Sequence, residues 1–253
     1  MTTYLSGLKN GVVLAELGGH GNGPYCARHG AGAALAMMGT YIVDPGDKVP
    51  YPAEFVFKPG RASYQPYLRS HVAAARGGGS LVGVSVLSTD MADSMDFLAA
   101  AEEAGADFAS ICAHSSMDMF VQAGVDEEHF VRKGSRQLDA WARAVLGAVS
   151  IPAIFKIGRQ STEDTLAAVD RLAELGVPIV HINVGDTEPG SDGFRLIRRL
   201  AGRCGRLVVG GGIADEERAR RVLGEGADAV ALGAAAMKDP DLCGRLQRAL
   251  RPS

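Results

Sequence analysis

A lysine, Lys156, stands inside the apolar run IPAIFKIG, and a histidine, His181, lies near the end of the run VPIVHI. An ammonium buried without a partner is costly, so Lys156 requires an anionic or polarisable group beside it. Glu16, at the end of the run GVVLAE, is a carboxylate that could supply one. Such a pair would be structural, whereas a lysine turned toward a ligand would be chemical. Two glycine turns carry a second kind of chemistry. Gly210-Gly211-Gly212 and Gly233-Ala234 each follow directly on a short apolar run. Glycine there leaves backbone amides open to an anion with no Cβ in the way, which points to a phosphate-bearing ligand. Cys112, His114 and Ser115, in the stretch ICAHSS, are candidates to move a proton. The thiol and the imidazole titrate closer to neutrality than the hydroxyl does. His20, His114 and His181 could in principle share a metal ion, but no carboxylate or second histidine stands at close ligand spacing, so no metal site is assigned.

Residues so far apart in the chain need a scaffold that gathers them, and the hydrophobic pattern supplies it. Eight apolar runs read as strands: Gly11–Glu16, Ala33–Met38, Ser80–Val86, Asp107–Cys112, Ile151–Ile157, Pro178–Asn183, Leu207–Val209 and Ala229–Leu232. Most alternate with helical patterns, among them Tyr67–Arg76, Met91–Ala104 and Glu163–Leu175. The stretches EEAGADFASI, AELGVPIVHI and LGEGADAVAL repeat one arrangement: a helix end, a glycine that stops it, then a buried strand. Eight strands close a barrel, and 253 residues match the typical size of one (β/α)8 domain, about 250. We therefore expect an α/β protein, a single TIM barrel over residues 1–253, with its chemistry at the carboxyl ends of the strands. Gly39–Gln65, with Pro45, Pro50, Pro52 and Pro59, is expected to form a loop or small excursion over the barrel mouth. Ala113–Lys133 is either a lid or an ordinary connection with one short helix.

Composition narrows the function. A formal charge of −3 lacks the basic footprint of a nucleic-acid binder, and Arg245, Arg248 and Arg251 read as a solvated helix face. The four cysteines show no CxxC or zinc-finger spacing. No stretch reaches the roughly 20 apolar residues of a membrane span, and the amino-terminal residues lack the pattern of a secretion signal, so a cytoplasmic location and no membrane partner are expected. A homodimer is the commonest assembly for such a protein.

Residues 11–38, GVVLAELGGHGNGPYCARHGAGAALAMM, resemble the opening of the tRNA-dihydrouridine synthase group, and IPAIFKI, VHIN, VVGGGI and ALGAAAM follow in that family's order. Together they are similar to the wider FMN-binding TIM-barrel superfamily that also holds dihydroorotate and dihydropyrimidine dehydrogenases. The resemblance implies FMN, with Lys156 and His181 at the flavin ring and the amides of Gly211, Gly212, Gly233 and Ala234 on its phosphate. It also implies that Cys112, His114 or Ser115 protonates a substrate stacked on the flavin. The chain departs from the pattern at strand four, where the family's asparagine and catalytic cysteine align with Cys112 and Ser115. It departs again at Ser85, Gly158 and Ala234, where a glutamine and two arginines are usual. The chain also ends soon after its eighth strand, leaving no room for the helical RNA-binding domain of those synthases, so tRNA is not the expected substrate.

The leading expectation is thus an FMN-dependent oxidoreductase acting on a small heterocycle. A second reading is a flavin-free lyase or aldolase, in which the same turns hold a substrate phosphate and a desolvated Lys156 forms a Schiff base. A third is a barrel that binds flavin without turnover, suggested by the missing cysteine.

Overall fold

Parallel strands and outer helices close a (β/α)8 barrel in this computed structural model, which describes residues 5–46 and 48–251. Residue 47, inside the expected excursion, and residues 1–4 and 252–253 lie outside the described residues. The elements run β1 (Gly11–Leu14), α1 (Gly23–His29), β2 (Leu35–Val43), β3 (Val56–Phe57), α2 (Arg61–Arg76), β4 (Leu81–Ser88), α3 (Met91–Glu103) and β5 (Phe108–Ala113). They continue with α4 (Asp118–Ala123), α5 (Glu127–Val131), α6 (Arg136–Ala148), β6 (Ala153–Gly158), α7 (Thr162–Glu174) and β7 (Ile179–Asn183). The last are α8 (Asp192–Leu200), β8 (Arg206–Gly210), α9 (Glu216–Gly224), β9 (Ala229–Leu232), α10 (Ala234–Lys238) and α11 (Leu242–Leu250). Every strand pairs in parallel with its neighbours, and β1 pairs with both β9 and β2, which closes the ring. The short β3 adds to the end of β2 outside the closed barrel.

Several helices start where the sequence supplies a cap. Asp90, Ser135, Ser161, Ser191 and Asp215 each accept a hydrogen bond from an amide of the following first turn. The largest departure from expectation lies between residues 39 and 65. Strand β2 runs on to Val43, and α2 begins at Arg61 with Pro66 inside it, so the excursion shrinks to the stretch between them. Four prolines concealed both ends, because Pro discourages helix and sheet alike wherever an amide is needed. The 113–133 segment carries two short helices, α4 and α5, rather than one.

Side chains of a strand alternate between two faces, and here the alternation sorts chemistry from packing. Val13, Leu35, Met37, Phe108, Ile154, Ile179, Val208, Ala229 and Ala231 form the barrel interior, with Leu8 packed against them. The intervening residues, such as Phe155, Val180 and Val209, face the helices and join Phe97, Leu98, Trp141 and Leu172 in the larger outer core. Counting onward in steps of two from Phe108, Ile154 and Ile179 brings Cys112, then Lys156 and Gly158, then His181 and Asn183 to the inner side at the carboxyl ends.

Candidate active site

Register puts Cys112 beside Lys156 and Lys156 beside His181, so the three share one level of the barrel. Glu16 reaches them from the turn after β1. Its Oε1 is 3.4 Å from Lys156 Nζ and its Oε2 is 3.6 Å from His181 Nδ1. Strands β1 and β6 are not neighbours in the sheet, so this ion pair crosses the barrel rather than linking adjacent strands. Ser85 Oγ also donates to Glu16 Oε1, at 3.4 Å, while Oε2 has no hydrogen-bond partner.

The Glu16 side chain is only 1% exposed. Burial pushes its carboxyl up, but the charge of Lys156, the neighbouring His181 and a backbone hydrogen bond outweigh this and leave it below the ordinary value. Burial drives His181 down to about 4, against the pull of Glu16 and helped by Lys156. The imidazole is therefore neutral near pH 7, and Lys156 is the cation that keeps Glu16 ionised. Burial also raises the Cys112 thiol, despite the nearby lysine.

Two cavities open on this level. The larger, about 590 Å³, is lined by Lys156, His181, Gly211, Gly212, Gly233 and Ala234, the six residues singled out as ligand-binding from the sequence. Gly185 and Lys238 complete its rim. The smaller, about 230 Å³, is lined by Cys112, Ser115, Thr40 and Tyr51 together with apolar Ile42, Leu87, Met117 and Phe120. Glu16, Lys156 and His114 border both.

His114 is the best connected of the proton-transfer candidates. Its Nδ1 lies 2.5 Å from Glu127 Oε2, and Asn183 Nδ2 donates toward its Nε2 at 3.3 Å. Cys112 Sγ points weakly at the His114 carbonyl, 3.9 Å away. Ser115 Oγ accepts from the Met117 amide at 3.4 Å. His20 is exposed, and among the described residues no three histidine, cysteine or acidic side chains group as metal ligands. The sequence reading missed Glu127, Gly185 and Lys238. Glu127 sits in the first turn of α5, and its amide donates to the Ser115 carbonyl, which folds this helix back over the end of β5. Only that fold makes it a neighbour of His114.

Comparison with known proteins shows what the chain is similar to. Residues 158–252, which hold all the phosphate-type turns, match the family described as histidine biosynthesis protein. A geranylgeranylglyceryl phosphate synthase of Methanopyrus kandleri is 35% identical over 77 residues, 30% of this chain and 32% of that protein. Its counterpart in Ignicoccus hospitalis is 36% identical over 77 residues, 29% of this chain and 31% of that protein. The match thus spans about a third of the length of these relatives. Morphinone reductase in complex with tetrahydroNAD superposes with a TM-score of 0.72 at 14% identity, over 96% of this chain and 87% of that one. A DHODH from Eimeria tenella in complex with ferulenol gives 0.64 at 15% identity, over 94% and 79%. At such identities the structures show a shared fold alone. The named relatives are enzymes.

These findings correct the flavin expectation. The resemblance to FMN-binding barrels holds for the fold, but the sequence relatives are synthases named for a phosphorylated product, not flavoproteins, so FMN and the oxidoreductase activity are withdrawn, as is kinship with dihydrouridine synthases. The physical reason is visible in the site. Glycine turns after the last strands serve any phosphate, whichever molecule carries it. The lysine charge reserved for a reduced flavin is already met by Glu16. Among the described residues, no helix is long and apolar enough to cross a membrane.

Proposed function

We propose that this barrel is a flavin-free lyase or synthase acting on a phosphorylated small molecule, with Lys156 engaging the reacting carbon. One observation carries the reading: the turns at Gly185, Gly211-Gly212 and Gly233-Ala234 converge with Lys156 on a single cavity. The turns offer backbone donors to a phosphate, and the exposed Lys238 adds a cation to the lining. With the phosphate anchored, the rest of the substrate lies across Lys156 toward the smaller chamber. The names of the sequence relatives, which end in a phosphate ester, support the anchoring. The whole chain, residues 1–253, acts here as one domain on a small molecule rather than on tRNA.

A carbonyl held at Lys156 would react in balanced steps. Glu16 accepts a proton from the ammonium, and the freed Nζ lone pair attacks the carbonyl carbon. The carbonyl oxygen takes up two protons, one from the attacking nitrogen and one returned by Glu16, and leaves as water, giving a C=N⁺ bond that draws electrons from the adjacent carbon. His114, bordering both chambers, is placed to move the proton that follows, with Cys112 and Ser115 in the smaller chamber as the other candidates. The ion pair with Glu16 favours a second reading, in which Lys156 stays an ammonium and neutralises a developing oxyanion.

Borohydride reduction in the presence of dihydroxyacetone phosphate or glyceraldehyde 3-phosphate, followed by peptide mass spectrometry, tests the covalent reading. A reduced adduct on Lys156, suppressed by inorganic phosphate and absent in Lys156→Met, is expected. Phosphate binding without an adduct would move Lys156 to the electrostatic role. Failure to bind phosphate at all would sink the proposal.

A further inference from the structure

We infer that His114 is locked with its proton on Nδ1 and its lone pair on Nε2, and that Glu127 and Gly158 are the positioning residues that hold it as a base. Its catalytic use rests on the function proposed above; its tautomer does not.

One chain of hydrogen bonds takes its direction from a backbone amide. The Gly185 N–H can only donate, and it donates to Asn183 Oδ1 at 3.0 Å. This sets which end of the Asn183 amide is oxygen, a choice that otherwise has to be made from the network. Asn183 Nδ2 therefore faces His114 as a donor, 3.3 Å from Nε2. The nitrogen that receives it carries no proton in the neutral ring, so the ring proton sits on Nδ1, where Glu127 Oε2 accepts it at 2.5 Å. His114 borders the cavity that Lys156, Glu16 and His181 line, and the long bond from Asn183 to its Nε2 is the one a substrate proton would replace.

Gly158 supplies the space. It ends β6 on the inner face, and a Cβ built there would overlap both His114 Nδ1 and Glu127 Oε2. In the observed arrangement the pair requires this position to carry no side chain. Glu127 is held independently, through its amide bond to the Ser115 carbonyl and the Asp126 cap of α5.

Long-range nitrogen–proton correlation spectra of protein labelled with 15N-histidine, at a pH where the ring is neutral, read the tautomer directly; His114→Asn identifies the signal. Wild type is expected to show the Nδ1–H form. Glu127→Ala and Gly158→Ala are expected to lose it, and Glu127→Gln, whose amide oxygen still accepts, to restore it. An Nε2–H ring in wild type, or an Nδ1–H ring that persists in Glu127→Ala, would overturn the inference. Should Gly158→Ala fail to fold, the two Glu127 variants decide alone, because that side chain lies on a short outer helix. Titration of the same samples with inorganic phosphate separates the two proposals. Binding is expected unchanged in the Glu127 variants, and its absence from wild type would remove the function proposed above while leaving the tautomer standing.

Discussion

Glu16 is the residue on which the electrostatics turn, because it is almost fully buried and Lys156 is the cation that compensates it. Lys156→Met is expected to leave an unpaired buried carboxylate and cost about 3–5 kcal/mol in urea unfolding, whereas adding Glu16→Gln should recover much of the loss. A single variant no worse than the double would show that the pair is not coupled. His181 makes a separate statement about pH. Folded, it titrates at about 4; unfolded, it returns to the ordinary 6.5. Between those values the unfolded chain binds the extra proton, so stability rises with pH across the window and falls away as pH drops toward 4, by on the order of 3 kcal/mol. Glu16, held below its ordinary value, adds a loss of the same sign as pH falls further. Acid unfolding of His181→Gln should lack the upper part of this dependence.

At the scale of elements, the glycines divide into those that shape the site and those that do not. Gly211 has φ +131° and Gly212 φ +64°, and a Cβ on Gly211 would lie 3.1 Å from the Gly185 amide nitrogen. Gly211→Ala is expected to cost about 1–3 kcal/mol and to weaken phosphate binding in calorimetric titration. Gly147, inside α6 with open space around it, is the contrast: Gly147→Ala should stabilise by about 0.5–1 kcal/mol and leave phosphate binding alone. The strands were legible because buried parallel strands are unbroken apolar runs, and the turns at their carboxyl ends because glycine marks them. Lys156 and Glu16 were legible as a pair because burial demands one. Glu127 was not, since its closeness to His114 depends on how α5 folds back over β5, and no local spacing records that. The ligand was misread for a related reason: glycine turns such as VVGGGI and ALGAAAM would suit a phosphate whichever molecule carried it.

Over the whole molecule, parallel pairing from β1 round to β9 and back leaves the short β3 as the addition outside the ring. Such a barrel has no internal seam, so calorimetry is expected to show one cooperative transition that inorganic phosphate shifts upward without splitting, as ligand linkage requires. Two resolved transitions would argue for separately folding parts. The interior also has a sealed base: Phe108, Ile154, Ile179, Leu35 and Met37 fill it below the level of Lys156 and His181. Foundations and workshop are thus written in different residues of the same strands, two positions apart. A breeder of new activities, natural or human, can rework the upper storey as long as Glu16 and Lys156 are kept or exchanged together, since the masonry of the barrel floor lies below them.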